Sequence, residues 1–271
     1  MSVVQMPKAK NVVEDVWLAM QSEAKEFAKE EKALSSFLYG SIINQESFCR
    51  AMANYMAEKL ATPEFSGLHM RQLVLEVCRS DEKVIQGAAL DLIAVRERDP
   101  ACHSYLQAFL YFKGFMALQT HRIAHHLLGK GRKLMAYHLQ SRSAELFGVD
   151  INPAATFGVG IMLDHATGLV AGETSVVGDG CSILHGVTLG GTGKSERDRH
   201  PKIGRNVLIG AGAKILGNIK IGDSARIAAG SVVLKDVRSN CTVAGVPAKA
   251  VGGPCCENPA AEMDQILDEN S

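Results

Sequence analysis

The first half of the chain places apolar residues at the spacing of amphipathic helices. Apolar side chains recur there every three or four positions, as on one face of an α-helix. Two such runs are Val13, Val16, Trp17, Met20, Ala24 and Phe27, followed by Phe48, Met52, Tyr55, Met56 and Leu60. Proline or glycine interrupts the pattern at Thr62-Pro63, Asp99-Pro100 and Gly129-Lys130-Gly131. The pattern predicts six to eight helices up to about residue 147.

The second half repeats with a period of six, which fits neither a helix nor an alternating strand. Apolar or small residues occupy positions 151, 157, 163, 169, 175, 181 and 187, and aliphatic residues occupy positions 203, 209, 215, 221, 227 and 233. This period is typical of a parallel β-helix with three flat faces and about 18 residues per coil. A β-sandwich, the alternative, has turns about every 8 to 12 residues and no strict period. Because three hexapeptides form one coil, the thirteen hexapeptides predict a prism of roughly four coils.

The six-residue register breaks between Val187 and Ile203. Sixteen residues separate these positions, where multiples of six give twelve or eighteen. The intervening segment 190–202 begins with glycine and is rich in charge. We therefore expect a loop that protrudes from the prism, and such loops often carry binding residues.

Glycine content divides the chain into two unlike halves. Of the 26 glycines, 6 lie in residues 1–147 and 20 in residues 148–271. We therefore expect an α + β protein with an all-helical N-terminal domain over residues 1–147. A parallel β-helix follows over residues 148–253, and a flexible tail over residues 254–271.

Net charge and hydropathy exclude several classes of protein. The 271 residues include 29 Lys and Arg against 29 Asp and Glu, which argues against nucleic acid as a partner. No run reaches the roughly 18 apolar residues of a membrane span, and the N-terminus lacks the apolar stretch of a signal peptide. We expect a soluble cytoplasmic protein without membrane association.

The cysteines do not form a recognisable disulfide or zinc pattern. Seven cysteines without a C-x-x-C pair argue against both a disulfide framework and a zinc knuckle. Most are expected to be buried thiols, whereas Cys255 and Cys256 lie in the polar tail and could be exposed.

Two further motifs each lack a residue that their chemistry requires. Gly193-Lys194-Ser195 resembles the end of a P-loop, but Thr188 stands where the first glycine is required. His121, His125 and His126 form an H-x-x-x-H-H motif, but Arg122 stands where a zincin has glutamate. Neither a nucleotide hydrolase nor a metalloprotease is indicated.

The pair Asp164-His165 is the strongest candidate for chemistry. A histidine can take a proton from a hydroxyl at neutral pH when a carboxylate holds its tautomer. Asp150 and Asp164 are both candidates for that carboxylate, and Arg199 and His200 add polar groups on the loop. Alternatively, His165, His185 and His200 could ligate zinc, as in β-helical carbonic anhydrases.

The chain resembles serine O-acetyltransferase, a family of the hexapeptide-repeat acyltransferase superfamily, over nearly its whole length. The segments that carry this resemblance are Asp150-Ile-Asn-Pro-Ala-Ala155, Gly160-Ile-Met-Leu-Asp-His-Ala-Thr-Gly168, Val187-Thr-Leu-Gly-Gly-Thr-Gly-Lys-Ser195, Asp198-Arg-His-Pro-Lys-Ile203 and Ile209-Gly-Ala-Gly-Ala-Lys-Ile-Leu-Gly217. The resemblance implies a left-handed β-helix and transfer of acetyl from acetyl-CoA to L-serine. The implied product is O-acetylserine, which is used for cysteine synthesis.

The resemblance also implies roles for individual residues. His165 matches the general base and Asp150 its partner. The positions that match serine-binding residues are Asp99, Asp164, Arg199 and His200, and those that match acetyl-CoA-binding residues are Gly191, Ala211 and Ala229. Acetyl-CoA is then a co-substrate, and neither a metal nor a tightly bound cofactor is implied.

Members of this family assemble as homotrimers, usually paired into hexamers through their helical halves, and are often inhibited by L-cysteine. Members that bind O-acetylserine sulfhydrylase usually end in isoleucine. This chain ends in Asp268-Glu-Asn-Ser271, which argues against that complex. Two weaker alternatives are an acetyltransferase for another hydroxyl acceptor, such as homoserine, a sugar or an antibiotic, and a non-catalytic scaffold.

Overall fold

Helices fill the N-terminal part of the protein. The computed structural model describes residues 9–193, 197–254 and 256–266. The helices that precede the first strand in this described part are α1 Ala9–Glu30, α2 Ser35–Leu38, α3 Phe48–Leu60, α4 Gly67–Ser80, α5 Glu82–Arg98, α6 Tyr105–Tyr111, α7 Lys113–Gly129 and α8 Lys133–Phe147. Large apolar side chains such as Met20, Phe48 and Phe109 are fully buried between them. No described helix has the length and apolar character needed to cross a membrane.

Short strands make up the rest of the described chain. They are β1 Val149–Ile151, β2 Thr156–Phe157, β3 Met162–Leu163, β4 Leu169–Ala171, β5 Val176–Val177, β6 Ser182–Ile183, β7 Thr188–Gly190, β8 Lys202–Ile203, β9 Leu208–Ile209, β10 Lys214–Leu216, β11 Lys220–Ile221, β12 Arg226–Ile227, β13 Val232–Val233, β14 Cys241–Gly245 and β15 Ala248–Pro254. A short helix, α9 Pro259–Glu262, follows them.

Every third strand pairs in parallel, which winds the chain into a prism with three faces. The faces have the strand orders β1-β4-β7-β10-β13, β2-β5-β8-β11 and β3-β6-β9-β12-β14, and β15 pairs antiparallel with β14. The expected helical region followed by a parallel β-helix of hexapeptide repeats is thereby confirmed. Along each face, stacked aliphatic side chains fill the interior, as Leu189, Ile215 and Val233 do on the first.

The prism has five coils rather than the predicted four. The first face contains five strands among the described residues. In the last coil, Val243 pairs with Ile227, which lies only sixteen residues earlier. The last coil therefore departs from the six-residue period, and counting hexapeptides missed it.

The predicted register is wrong by two residues in the second coil. Ile151 pairs with Ala171, twenty residues later, whereas Ile215 and Val233 are eighteen residues apart. The stacked positions are therefore 171, 177, 183 and 189 instead of 169, 175, 181 and 187. Side chains alternate along a strand, so a slip of two residues leaves the buried pattern unchanged. Leu169 and Cys181 are indeed also buried.

The predicted protruding loop is confirmed. Val177 pairs with Ile203, twenty-six residues later, so this coil contains eight residues more than the regular ones. The extra residues leave the prism between β7 and β8. Lys194 and Ser195 of the P-loop-like motif lie outside the described residues, as do Cys255 and the end of the chain from residue 267.

A buried charged cluster joins the helices to the prism. Asp91 of α5 is fully buried and accepts hydrogen bonds from Arg122 of α7 and from the backbone N–H of Ile161, at 2.9 Å. Arg122 also donates to the carbonyl oxygen of Gly158 at 2.6 Å. A buried charge is tolerated only when it is paired and hydrogen-bonded in this way. The cluster fixes α5 and α7 against the corner that leads into β3.

The segment 256–266 runs back along the prism. The Ser224 hydroxyl donates to the carbonyl oxygen of Glu257 at 2.7 Å, and Arg226 donates to the Asp264 carboxylate at 3.2 Å. Helix α9 lies between α5 and β9. This segment thereby reaches the same end of the molecule as the last turn of α5.

Candidate active site

His165 lies on the turn 164–168, which connects β3 with β4. This turn accounts for the two extra residues of the first coil. His165 and Ala166 both have left-handed backbone, with φ of 54° and 59°. Such backbone costs on the order of 1–3 kcal/mol for a residue with a Cβ and often marks a functional site. The turn directs the imidazole out of the prism, where 74% of the side chain is exposed.

Asp164 and His185 flank the imidazole of His165. The distance from its Nε2 to Oδ1 of Asp164 is 3.7 Å, which is too long for a hydrogen bond. The ring of His185, one coil further on, lies edge-on at 5.8 Å between ring centroids. The His165 ring therefore lies next to a carboxylate and a second imidazole.

Asp99 faces Asp164 across a cleft between the helices and the prism. Asp99 follows the last residue of α5, and the cleft, of about 1180 Å³, is lined by Asp99, Asp164 and His165 together. Burial raises the pKa of the Asp164 carboxyl. The electrostatic interaction with His165 lowers this pKa, and the negative charge of Asp99 raises it. Two carboxylates beside a histidine suit an ammonium group carried by a hydroxyl compound.

Asp150 lies on β1, beside the turn that carries His165. The carbonyl oxygen of Gly148 accepts a hydrogen bond from the N–H of Gly168 at 2.7 Å, so β1 begins against the end of that turn. Gln140 of α8 donates to Oδ1 of Asp150 at 2.7 Å. The described contacts of Asp150 do not include His165, and Asp150 is not among the described residues that line the cleft.

Thr174 anchors the described end of the protruding loop. Its Oγ1 accepts hydrogen bonds from the backbone N–H groups of Arg199 and His200, both at 3.1 Å. The guanidinium of Arg199 donates to the carboxylate of Glu173 at 2.8 Å. This loop end therefore lies on the corner between β4 and β5.

The imidazole of His200 is buried beneath Gly172. A Cβ on Gly172 would lie 1.9 Å from Nε2 of His200, so only glycine leaves room for this ring. The N–H of Thr174 donates to Nδ1 at 3.2 Å, which places the ring proton on Nε2. Burial and the charges of Arg199 and Lys202 lower the pKa of His200. His200 is thus a neutral imidazole with one defined donor.

One chain assembles only part of the predicted serine site. Asp99, Asp164 and His165 share the cleft, whereas Arg199 and His200 lie on the next corner of the prism, between β4 and β5. The two groups of residues are separated by a face of the prism. Within one chain, Arg199 and His200 therefore do not join the other three residues.

Ala211 and Ala229 lie on the same corner as His165, further along the prism. Gly212 donates to the carbonyl oxygen of His185 at 2.9 Å, and Gly230 donates to that of Ala211 at 2.8 Å. The turns that carry these residues are therefore stacked in successive coils. Gly191, by contrast, begins the protruding loop on the neighbouring corner.

The alternative zinc set is not assembled in the chain. His185 lies beside His165, but His200 is bound to Thr174 on a different corner. The described residues contain no group of three or more His, Cys, Asp and Glu side chains arranged to hold a metal ion.

Several residues near the site carry no sequence signal. Lys113 of α7 forms a hydrogen bond to the Thr167 hydroxyl in the turn of His165. Arg98 and the α9 region, through Glu262 and Met263, line the same cleft. These residues follow no spacing rule, because they reach the cleft from separate helices far apart in sequence.

Two sequence families match the chain. The family described as "serine acetyltransferase, N-terminal" matches residues 16–120. The family described as "bacterial transferase hexapeptide (six repeats)" matches residues 200–235. Among curated relatives, serine acetyltransferase of Salmonella typhimurium is 50% identical over 253 residues, which cover 93% of each chain. Serine acetyltransferase 4 of Arabidopsis thaliana is 50% identical over 249 residues, which cover 92% of this chain and 70% of that one.

Solved structures agree with these matches. A serine acetyltransferase in complex with cysteine has a TM-score of 0.92 and 47% identity, and covers 93% of this chain and 98% of its own. The Brucella abortus enzyme in complex with coenzyme A has a TM-score of 0.88 and 52% identity, with coverage of 89% and 97%. The Neisseria gonorrhoeae enzyme in complex with serine has a TM-score of 0.85 and 50% identity, with coverage of 87% and 97%.

Proposed function

The chain belongs to the serine acetyltransferase family, and we propose that His165 is the general base of its reaction. The reaction transfers acetyl from acetyl-CoA to the hydroxyl of L-serine, the first step of cysteine synthesis from serine. The cleft that Asp99, Asp164 and His165 share is the observation that supports this assignment. An exposed imidazole next to two carboxylates suits a substrate with both an ammonium and a hydroxyl.

The reaction needs one base that later acts as an acid. His165 takes the proton from the serine hydroxyl while the serine oxygen attacks the thioester carbonyl carbon. The carbon–sulfur bond of acetyl-CoA then breaks, and the proton on His165 passes to the leaving thiolate. The products are O-acetyl-L-serine and CoA. General-base assistance of this kind contributes about 10²- to 10⁴-fold in rate.

Asp150 completes the base in this proposal. The support is its place in the fold: β1, which carries Asp150, begins against the end of the turn that carries His165, and Gln140 donates to Oδ1 of Asp150. A carboxylate in that position fixes the tautomer and stabilises the imidazolium formed during reaction. Asp164 is then available to bind the ammonium group of serine.

Serine binds through both of its charged ends. Asp99 and Asp164 receive the ammonium, and Arg199 and His200 receive the carboxylate. The planar fork of Arg199 can bind a carboxylate through two charge-assisted hydrogen bonds. His200 lies next to Arg199 in the chain, and Thr174 fixes the orientation of its ring.

Acetyl-CoA lies along the corner that carries His165. Ala211 and Ala229 are small residues one coil apart on this corner, which leaves space for an extended chain to follow the prism axis. Gly191 contributes from the neighbouring corner. The thioester then lies at the end of the corner occupied by His165 and His185.

The serine site is shared between neighbouring molecules in a homotrimer, which pairs into a hexamer. The support is the separation of the two residue groups onto different corners of one prism. Packing of three prisms about an axis brings the His165 corner of one prism to the loop corner of the next. Each trimer then holds its sites at the interfaces.

L-cysteine inhibits by occupying the serine site. A related serine acetyltransferase was solved in complex with cysteine. Cysteine has the ammonium and carboxylate of serine and so uses the same contacts. A serine turnover that stays unchanged at saturating cysteine would contradict this part of the proposal.

The proposed base is tested by the release of free thiol from acetyl-CoA, measured with and without L-serine. We expect serine-dependent release that far exceeds release with homoserine. In His165→Asn, kcat falls by about 10²- to 10⁴-fold with folding retained, because the general base is lost. Activity within a few fold of the unmodified enzyme would refute the assignment of His165.

A further inference from the structure

Arg98, the last residue of α5, binds the helix to the prism beside the cleft. Its Nη1 donates to the carbonyl oxygens of Gly180 and Cys181 at 3.1 and 3.3 Å, and to Oγ of Ser182 at 3.1 Å. These acceptors lie on the corner before β6 and at its first residue. The next residue along the chain is Asp99, which the proposed function assigns to the serine ammonium.

Ser182 extends this contact to the C-terminal segment. The Ser182 side chain is buried, and its hydroxyl donates to the carbonyl oxygen of Ala260 in α9 at 2.8 Å. A hydroxyl has one proton, so the oxygen of Ser182 receives the Arg98 N–H through a lone pair. A directed chain of hydrogen bonds therefore connects α5, β6 and α9.

Both ends of this chain form walls of the cleft. Asp99 lines the cleft, and so do Ala261, Glu262 and Met263, which follow Ala260. A shift of Arg98 would move the two walls together. The hydrogen-bond chain thus sets where the Asp99 carboxylate stands relative to Asp164.

A second attachment on the same helix makes this placement rigid. Asp91 accepts the N–H of Ile161 at 2.9 Å, one residue before β3. Asp91 and Arg98 are seven residues apart, about two helical turns, so both face the prism. Attachments at both Asp91 and Arg98 restrict the rotation of α5 about its axis and its shift along that axis more than a single attachment does.

We infer that Arg98 is a positioning residue for L-serine, which acts by holding Asp99 opposite Asp164. The inference rests on the proposed role of Asp99. All three bonds come from Nη1, and the planar guanidinium fixes the direction of this nitrogen. The ammonium of a lysine is a compact group on a flexible stem and does not reproduce this geometry.

Arg98→Met tests the inference, because methionine keeps much of the packing and removes the donors. We expect the KM for serine to rise about tenfold to a hundredfold, the usual effect of losing hydrogen bonds to a charged group. The KM for acetyl-CoA stays within twofold, since Ala211 and Ala229 lie on other coils. Arg96→Met is the matched control: Arg96 is exposed on the same helix turn, and its loss leaves both constants unchanged.

Two milder variants cover the case in which Arg98→Met does not fold. Arg98→Lys keeps the charge and should raise the serine KM by less than Arg98→Met. Ser182→Ala removes the link to α9 and one of the three acceptors of Arg98, and it should raise the serine KM by a few fold. Thermal unfolding curves identify which variants are folded. A folded Arg98 variant with unchanged serine KM would overturn the inference, as would equal losses toward serine and acetyl-CoA.

A double-mutant cycle with Asp99→Asn separates this inference from the proposed function. If Arg98 acts through Asp99, Arg98→Met changes the serine KM little once Asp99 is already Asn. Fully additive effects would overturn the positioning role while leaving the serine site intact. An Asp99→Asn variant with normal serine KM would instead refute the proposed site itself, whatever Arg98→Met does.

Discussion

At the scale of single residues, the left-handed backbone at His165 and Ala166 shapes the turn that carries the proposed base. Both residues adopt positive φ without being glycine. The turn is held by backbone hydrogen bonds, such as the one from Gly168 to Gly148, and by Lys113 on Thr167. The surrounding contacts therefore offset the strain, and the imidazole is presented to the cleft in a defined direction.

The two aspartates near His165 should have separable effects. Asp164→Asn removes a charge proposed to bind the serine ammonium, so the KM for serine should rise about tenfold or more while kcat changes less. Asp150→Asn should lower kcat with a smaller change in KM, because it removes the partner of the base. Steady-state kinetics with varied serine distinguish the two. The reverse pattern would assign Asp164 as the partner of His165.

At the scale of elements, helix α7 packs closely against strand β3 at Gly114. A Cβ on Gly114 would lie 2.0 Å from the carbonyl oxygen of Leu163, which is a backbone atom and cannot rotate away. Leu163 directly precedes Asp164 and His165. The start of α7 and the turn that carries His165 are therefore fixed against each other.

Gly114→Ala should disturb both stability and activity. The clash forces α7 away from β3, at a cost of about 1–3 kcal/mol in the free energy of unfolding, and kcat should fall with it. Gly129→Ala is the matched control, since it lies on the same helix with nothing within 4 Å of the added Cβ. Chemical denaturation of both variants checks this. Equal stability of the two would show that the contact is not tight in solution.

His121 of α7 links stability to pH. It is buried against Phe157, and burial, His125 and Arg122 lower its pKa to about 3. Between pH 6.5 and about 3, the unfolded chain binds a proton here that the folded chain does not bind. The folded state is therefore destabilised as the pH falls through that window, and above pH 6.5 this group has no effect.

His121→Phe should flatten this dependence. We expect the loss of unfolding free energy between pH 6.5 and 4 to shrink by on the order of a few kcal/mol, since phenylalanine packs in the same place without titrating. Urea titrations across this pH range measure it. His103→Asn, which changes an exposed histidine, should keep the original slope. An unchanged slope in His121→Phe would mean that other groups dominate acid unfolding.

The sequence pattern predicts the elements better than their register. The six-residue period is enough to indicate three faces, because the same geometry recurs in each coil. It cannot detect two extra residues at 164–168, because Leu169 is buried as well as Ala171. The break before Ile203 is visible because this coil has eight extra residues, which is not a multiple of the six-residue period.

The candidate site is predicted only in part for a related reason. His165 and Asp164 attract notice as a polar pair in a regular aliphatic repeat. Asp99 lies on a distant helix, so only the family resemblance associates it with them. Arg98, Gln140 and Lys113 could not be predicted, because their roles arise from how the helices pack on the prism.

At the scale of the whole molecule, the proposed division of the site between neighbouring chains predicts that activity depends on assembly. His165 and Arg199 belong to different corners of one prism, so each complete site takes one from each neighbour in our proposal. Chains that lack His165 and chains that lack Arg199 are therefore defective in different halves of a site. Mixing them creates some interfaces in which both halves are intact.

Co-expression of His165→Ala and Arg199→Ala chains should restore activity. Each variant alone is nearly inactive, whereas mixed trimers contain sites built from the intact halves of two chains. Separately tagged chains, purified through both tags, ensure that only mixed assemblies are assayed. A mixture of the variants after assembly is the control and should stay inactive. Inactive mixed assemblies would place the whole site within one chain.

The twenty-residue coil has a consequence for how repeat proteins gain chemistry. A regular coil, such as the one from Ile215 to Val233, has eighteen residues, whereas the coil from Ile151 to Ala171 has twenty. Here a change in length, with no new element, creates a strained outward position that a histidine occupies. Evolution of such scaffolds can therefore proceed by insertion at a corner, and a designer could place a reactive side chain in an inert solenoid by the same small lengthening.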